Sequence, residues 1–134
     1  MRGNRGDAKN GHLARAALAI MRARTEFERA RKAKDELDGG QAAEKAWLAV
    51  SEASKALLRL KGVARHKMPE SHRGELVLLQ RHGGADMAKS YVLIHAVLHA
   101  DAFCRGLIDW DLAGETVGRA EGFVARVKQL ATRN

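Results

Sequence analysis

Two histidines, His95 and His99, stand four residues apart in a segment with helical periodicity. A helix places residues i and i+4 on one face, so both imidazoles could exchange protons with one substrate or bind one metal ion. Asp101 lies about 200° around the helix axis from His99 and would point away from such a metal. Tyr91 extends the same stripe, as in a helix face that packs against a core or a dimer partner. We therefore expect no metal site and no cofactor.

The segment 41–61 is apolar on nearly all sides except for one stripe of three polar residues, Glu44, Ser51 and Lys55. They could supply an acid, a hydroxyl and a base in a pocket between helices. Alternatively, they form a buried polar network in which an arginine of the first helix, Arg24 or Arg31, pairs with a charge, because an unpaired buried charge is costly. The residues predicted for this polar network or ligand pocket are Glu44, Ser51, Lys55, His72 and Asp101.

Positive charge is concentrated in the first quarter of the chain. The net charge is +8, and residues 1–34 carry ten Lys or Arg against three acids, whereas residues 35–134 carry fourteen against thirteen. This asymmetry suggests a polyanionic partner, RNA or DNA, bound through phosphate contacts. A solvated helix face with a basic tail is the alternative interpretation. The predicted nucleic-acid contacts are Arg15, Arg22 and Arg29, which recur every seven residues, together with Arg2 and Arg5.

The composition indicates an all-α protein. One proline and few aromatic residues stand among many Ala, Leu, Arg, Lys and Glu, which favour helices over strands. Apolar residues at three- and four-residue steps predict an up-and-down bundle of four long helices and one short helix. We expect Gly39 and Gly40 to end the first helix. The predicted helices cover about 10–34, 41–61, 71–79 and 86–105, and a last helix begins near 112.

The length of 134 residues fits one domain, with a flexible basic arm over 1–10 and a single bundle over 11–134. Cys104 is the only cysteine, so no disulfide can form within the chain. No apolar run approaches the roughly 18 residues of a membrane span, and the first residues do not resemble a secretory signal. These features predict a cytoplasmic protein without a membrane partner.

Several segments resemble the PaREP family, which is grouped with the HEPN (higher eukaryotes and prokaryotes nucleotide-binding) superfamily. The similarity spans roughly residues 13–132, and Asp101 stands where we expect Asn in that family. The residues that carry it are the run Gly-Gln-Ala-Ala-Glu-Lys-Ala-Trp at 40–47, Lys55, His72 and the run Leu-His-Ala-Asp-Ala-Phe at 98–103. The resemblance implies a bundle of four to five helices, often a homodimer, here through its last helices, and roles in RNA cleavage, toxin–antitoxin pairs or nucleotide binding. The PaREP branch itself implies no activity.

Catalytic HEPN proteins carry an Arg-x(4–6)-His motif on a late helix, where His exchanges protons and Arg neutralises the charge that develops on phosphate. In this chain no arginine precedes His99 at that spacing, and Lys89 precedes His95 without the bidentate fork of arginine. The candidate catalytic residues are Lys89, His95 and His99.

The sequence therefore predicts a HEPN-like bundle that binds nucleic acid, RNA in preference to DNA, through its first helix and arm, in a toxin–antitoxin or related defence context. Two alternatives stay open. One is a metal-independent HEPN ribonuclease that acts as a toxin, and the other is an interaction or scaffold module with a partner protein and no nucleic acid.

Overall fold

The computed structural model describes the backbone of residues 3–132 and the side chains of residues 11–132. These residues form an up-and-down bundle of helices with no strand among them, as the sequence predicts. A π-helical segment, His95–Cys104, continues the fourth helix, and a short 3-10 turn, Arg65–Lys67, lies between the second and third helices. The helices are α1 (Gly3–Ala33), α2 (Glu36–Leu60), α3 (His72–Gly83), α4 (Ala85–Ile94) and α5 (Trp110–Thr132).

Helix α1 begins at Gly3, well before the predicted start near residue 10. The backbone of residues 3–10 therefore continues the helix where the sequence suggested an arm. The side chains of Arg2 and Arg5 lie outside the described part of the structure. No helix within the described residues is long and apolar enough to cross a membrane.

The turn between α1 and α2 differs from the prediction that two glycines end the first helix. Lys34 adopts the left-handed conformation with φ of 53°, and Asp35 caps α2 by accepting a hydrogen bond from the backbone N–H of Asp38 at 3.1 Å. Gly39 and Gly40 lie inside α2 and are buried. A Cβ on Gly39 would stand 2.7 Å from the Trp110 ring, so the absence of a side chain permits this close contact.

Helix α2 is the central helix, as its apolar residues on nearly all sides predict, and most of its residues are buried. Helix α1 packs along it as an antiparallel hairpin and also contacts α5. The buried face of α1 contains small and aromatic side chains that let the three helices approach closely: Ala16, Ile20, Ala23, Phe27 and Ala30. The charged residues of α1 are thereby directed toward its margins and its outer face.

The prediction of one continuous α-helix from 86 to 105 is wrong in its second half. From His95 to Cys104 the backbone winds as a π-helix, in which N–H groups bond to the carbonyl five residues earlier, as Arg105 N does with Ala100 O at 3.1 Å. This winding places more residues in each turn than an α-helix does. It therefore changes which side chains of the segment meet.

Candidate functional site

Three histidines from two helices form a continuous row, which we call the imidazole row. His72 is the first residue of α3, and His95 and His99 lie on the π segment. The ring centroids of His72 and His95 are 3.9 Å apart, and those of His95 and His99 are 5.0 Å apart. The predicted pair on one helix is therefore part of a larger group that includes a histidine from a different element.

Trp47 of α2 forms the wall behind the imidazole row. Its ring centroid lies 4.8 Å from that of His95, 6.1 Å from that of His99 and 5.0 Å from that of Tyr91. Trp47 is 6% exposed, whereas His72 is exposed and His95 is half-buried. The row therefore has one apolar, buried side and one side that a solute can reach.

Glu44 holds one end of the row. Its carboxylate accepts a hydrogen bond of 2.7 Å from Nδ1 of His99, and both side chains are partly buried. With its Nδ1 proton directed at the carboxylate, a neutral His99 presents Nε2 as an acceptor, and Cys104 Sγ lies 3.6 Å from that atom. Cys104 is five residues after His99, so the π winding accounts for this contact. Glu44 and His99 form the arrangement of a base oriented by a carboxylate.

Glu75 lies in the first turn of α3, three residues after His72, which forms the other end of the row. The residue is 4% exposed, and Ser51 Oγ donates to its carboxylate over 3.4 Å. The Tyr91 hydroxyl lies nearby and donates to the backbone carbonyl of His72 at 3.4 Å. Burial raises the pKa of Glu75 to about 7, although neighbouring hydroxyls and the charge of Lys55 favour its ionised form.

His95 lies in the middle of the row, and its surroundings shift its pKa strongly. Burial lowers its pKa to about 4, and the charges of His72 and His99 act in the same direction. At neutral pH the His95 ring is therefore uncharged and can accept a proton or a hydrogen bond. An uncharged imidazole beside a carboxylate-bound imidazole is an arrangement that supports acid–base chemistry.

The structure separates other predicted members from this row. Lys89 is exposed on α4 and makes no described contact with His95, because six residues place the two about 240° apart around a helix. Asp101 instead pairs with Arg105 at 3.2 Å and makes no described contact with Glu44. Within the described residues, no group of three or more His, Cys, Asp or Glu side chains could hold a metal ion.

The predicted partners of the polar network are also different. Arg24 donates to both carboxylate oxygens of Glu121 at 2.8 Å, and Arg31 donates to Asp111 at 2.8 Å. Both acids belong to α5, so the two arginines connect α1 to α5 and neither reaches Glu44. The proposed pairing with the first helix is wrong because helical phasing directs these arginines to the side of α1 that faces α5.

The three arginines predicted to bind phosphate form an exposed row along α1, which we call the arginine stripe: Arg15, Arg22 and Arg29. Arg15 Nε lies 3.3 Å from a carboxylate oxygen of Glu52, which also pairs with His12. Arg22 and Arg29 form no ion pair with any described side chain. The stripe faces away from α5, so its charge is available to a solute.

The sequence predicts Glu44, Ser51 and His72 as polar residues near one another, but it does not indicate Glu75 or the contact of Tyr91 with α3. Glu75 follows the Ser71 cap by four residues, a position where an acid ordinarily favours the helix N-terminus while staying in water. Nothing in its local sequence indicates burial. Tyr91 extends the predicted histidine stripe, and its contact with α3 follows only from the tertiary fold.

The chain matches no protein-family model and none of the curated proteins.

Proposed function

We propose that this protein binds nucleic acid, RNA in preference to DNA, through the arginine stripe of α1. The observation that carries the proposal is the contrast between the arginines of one helix. Arg24 and Arg31 are engaged by carboxylates of α5, whereas Arg22 and Arg29 extend from the outer face without an acidic partner among the described side chains. Exposed guanidinium groups without an acidic partner, as at these two positions, favour phosphate contacts.

The length of the stripe fits a nucleic-acid backbone. Fourteen residues separate Arg15 from Arg29, which at about 1.5 Å per residue corresponds to about 21 Å of helix. A row of that length can contact several phosphates of one strand. Contacts of this kind fix position rather than sequence. The resemblance to HEPN proteins supports RNA as the partner and a toxin–antitoxin or defence context in the cytoplasm.

Salt dependence of RNA binding tests the proposal. We expect a fluorescein-labelled single-stranded RNA to bind with an affinity that falls steeply between 50 and 200 mM salt, on the order of the loss typical of phosphate contacts. Changing Arg15, Arg22 and Arg29 together to Gln should reduce the slope of log K against log salt by about two, since each phosphate contact contributes roughly 0.7. A DNA strand of the same sequence, measured in parallel, tests the preference for RNA.

A matched control changes three exposed cations elsewhere. Arg65→Gln, Lys67→Gln and Arg81→Gln remove the same net charge from the loop after α2 and from α3. If this control weakens binding as much as the stripe variant does, the effect is one of net charge and the proposed surface is wrong. Unchanged binding by the stripe variant also contradicts the proposal.

A second candidate function, metal-independent RNA cleavage, is favoured by one observation at the imidazole row. Uncharged His95 lies 5.0 Å, ring to ring, from His99, whose other nitrogen is bound by Glu44. In that reaction His95 takes the proton of a 2′-hydroxyl as its oxygen attacks the phosphorus and the bond to the 5′-oxygen breaks. The leaving 5′-oxygen takes the Nε2 proton of a His99 ring in its doubly protonated form, whose Nδ1 proton stays directed at Glu44. Lys89 lies outside this arrangement, so its contribution is not expected.

Incubation of mixed RNA with the protein in EDTA tests this candidate. Cleavage that is lost with both His95→Ala and His99→Ala, and retained with Lys89→Ala, supports it. Growth arrest on expression should follow the same pattern if the protein acts as a toxin. RNA that stays intact under conditions where it is bound excludes cleavage and leaves a binding protein.

The remaining alternative is an interaction module with a partner protein, as homodimer or scaffold. The outer face of α4 and its π continuation exposes Val92, Leu93 and Phe103. Sedimentation of the purified protein gives its mass, and the ratio of absorbance at 260 and 280 nm reports retained nucleic acid. A stoichiometric protein partner without nucleic acid would favour this alternative over the arginine stripe.

A further inference from the structure

A groove on the other side of α5 from the arginine stripe has features that the proposed function does not use. It has a volume of about 650 Å³ and lies between the end of α2, the turn from α3 to α4, and α5. Volumes of roughly 300–1,000 Å³ are typical of small-molecule sites. On α5 the groove is lined by Arg119 and Arg126, whereas Glu121, about 200° from Arg119 around the helix, faces α1. The groove and the arginine stripe are therefore separate surfaces.

Three strong cations line this cationic groove: Lys61 from the end of α2, and Arg119 and Arg126 from α5. All three are exposed, and none forms an ion pair with a described side chain. His82 adds a titratable group, and Asp86 is the one acidic residue among the lining residues. Three elements that are distant in sequence thus direct an excess of positive charge into one concavity, an arrangement that attracts anions.

The groove also contains neutral donors. Ser90 lines its α4 wall, and the first turn of α4 faces it with Gly84 at the N-cap position, where no side chain caps the helix. Backbone N–H groups of a first turn have no partner within their helix, so they add to the positive potential of the wall. These donors supplement the three cations, which already account for the preference for an anion.

Two features leave room for a ligand. A Cβ built on Gly122, between Arg119 and Arg126 on α5, would meet no atom within 4 Å, and the same holds for Gly84 on the opposite wall. Phe123 and Met87 provide an apolar floor beside the charged rim. A ligand that combines a compact dianion with an organic portion satisfies both the charge and the floor.

We propose that the cationic groove binds a phosphate monoester, with Lys61, Arg119 and Arg126 contacting the phosphate. Arginine binds phosphate oxygens through two parallel hydrogen bonds, which favours a terminal phosphate with several accessible oxygens. The same chemistry occurs in a free nucleotide and in the 5′-phosphate of an RNA strand. The proposal goes beyond the arginine stripe and does not depend on it.

Isothermal titration with adenosine 5′-monophosphate, adenosine and inorganic phosphate tests the site. We expect the monophosphate to bind and adenosine to give no heat. Arg119→Gln and Arg126→Gln should each weaken binding about tenfold, as loss of a charge-assisted hydrogen bond would. Asp86→Asn should strengthen binding about threefold, because it removes the one negative charge of the groove. Binding of adenosine as tight as that of the monophosphate overturns the proposal.

Gly122→Gln provides a test that leaves the charges in place. Its side chain would project into the open space between the two arginines, and glutamine favours a helix more than glycine does, so the fold is retained. We expect this variant to lose binding of the monophosphate while its circular dichroism is unchanged. Undiminished binding by Gly122→Gln, or failure of the natural chain to bind any phosphorylated probe at millimolar concentration, contradicts the site.

Two RNA oligonucleotides distinguish the sources of phosphate. If a 5′-phosphorylated strand binds more tightly than its 5′-hydroxyl counterpart, and Arg119→Gln abolishes the difference, the groove takes a strand end. If the two strands bind equally and the free monophosphate still binds, the groove takes a free nucleotide. Arg22→Gln is the control for both, since it weakens the arginine stripe and leaves the groove unchanged. Failure of the stripe and failure of the groove are thereby distinguished.

Discussion

Two carboxylates near the imidazole row have opposite surroundings. Glu44 is partly exposed and accepts a hydrogen bond of 2.7 Å from His99, whereas Glu75 is buried and has only hydroxyl donors, with Ser51 at 3.4 Å. Burial without a strong donor raises the pKa of Glu75 to about 7. Residue type alone therefore does not decide protonation, because burial favours the protonated form of Glu75, whereas Glu44 accepts a short hydrogen bond from an imidazole.

Removal of the Trp47 side chain has the largest expected effect, because it disturbs the surroundings of the whole imidazole row. Trp47 contacts His95, His99 and Tyr91 and is nearly buried, so Trp47→Ala leaves a cavity behind the whole row. We expect a loss of about 3–5 kcal/mol in the free energy of unfolding, measured by urea denaturation. Trp110→Ala is the control, since Trp110 is only half-buried and should cost less. A loss for Trp47→Ala no larger than for the control would show that the row is held by other contacts.

Glu75→Gln sharpens the contrast in charge. The pKa of Glu75 is about 7 in the folded state against an ordinary value of 4.5, so the folded state binds more protons between these values. The contribution of Glu75 to the free energy of unfolding is therefore complete below pH 4.5 and is lost as the pH rises through 7. Relative to wild type, Glu75→Gln should gain up to about 3 kcal/mol between pH 5 and pH 8. Urea denaturation at both pH values measures this, and a pH-independent difference would contradict the buried, protonated carboxyl.

His95→Gln tests the middle of the row and has the opposite sign. The pKa of His95 is lowered to about 4, so the unfolded chain binds more protons between pH 4 and 6.5. The contribution of His95 to the free energy of unfolding is therefore present above pH 6.5 and is lost as the pH falls toward 4. Allowing for its partial exposure, His95→Gln should reduce the acid-induced loss by about 1–2 kcal/mol, seen in thermal unfolding at pH 4 and pH 7. Equal acid sensitivity of variant and wild type would place the ring in water.

Glu44→Gln has the smallest expected effect. Glutamine keeps an acceptor for His99 Nδ1 but removes the charge, which should cost about 1 kcal/mol in the free energy of unfolding at pH 7. Glu121→Gln, which weakens the exposed pair with Arg24, is the matched control and should cost less, because water screens that pair. Nitrogen-15 shifts of His99 should change in Glu44→Gln and stay constant in the control. Unchanged shifts in both variants would mean that Glu44 does not orient the ring.

Much of the fold was predictable because its signals are local. The apolar residues of α2 on all sides predict a central helix, and the seven-residue repeat of Arg15, Arg22 and Arg29 predicts an exposed stripe; both are confirmed. The error at Gly39 and Gly40 has a physical cause. Glycine suits a helix end and also a close contact between elements, and only the position of Trp110 distinguishes the two.

The site was predictable in its parts and not in its assembly. His95 and His99 share a face by spacing alone, but His72 joins them through the packing of α3 on α4. The burial of Glu75 likewise depends on how that helix packs. Arg24 and Arg31 were expected near Glu44, yet the order of helices around α1 decides which acids they meet. Such information is in the tertiary arrangement and has no signature within a short window of sequence.

The π winding of His95–Cys104 has a consequence for length variation in this protein. Because each turn holds an additional residue, deletion of a single residue there would let the helix rewind as a regular α-helix without breaking the chain path. In an α-helix the fourth residue along, rather than the fifth, lies on the same face. A deletion between His99 and Cys104 would therefore give the cysteine the α-helical spacing and keep it beside the imidazole that it now contacts through the π winding. The same deletion in a regular α-helix would instead rotate every later residue by about 100°.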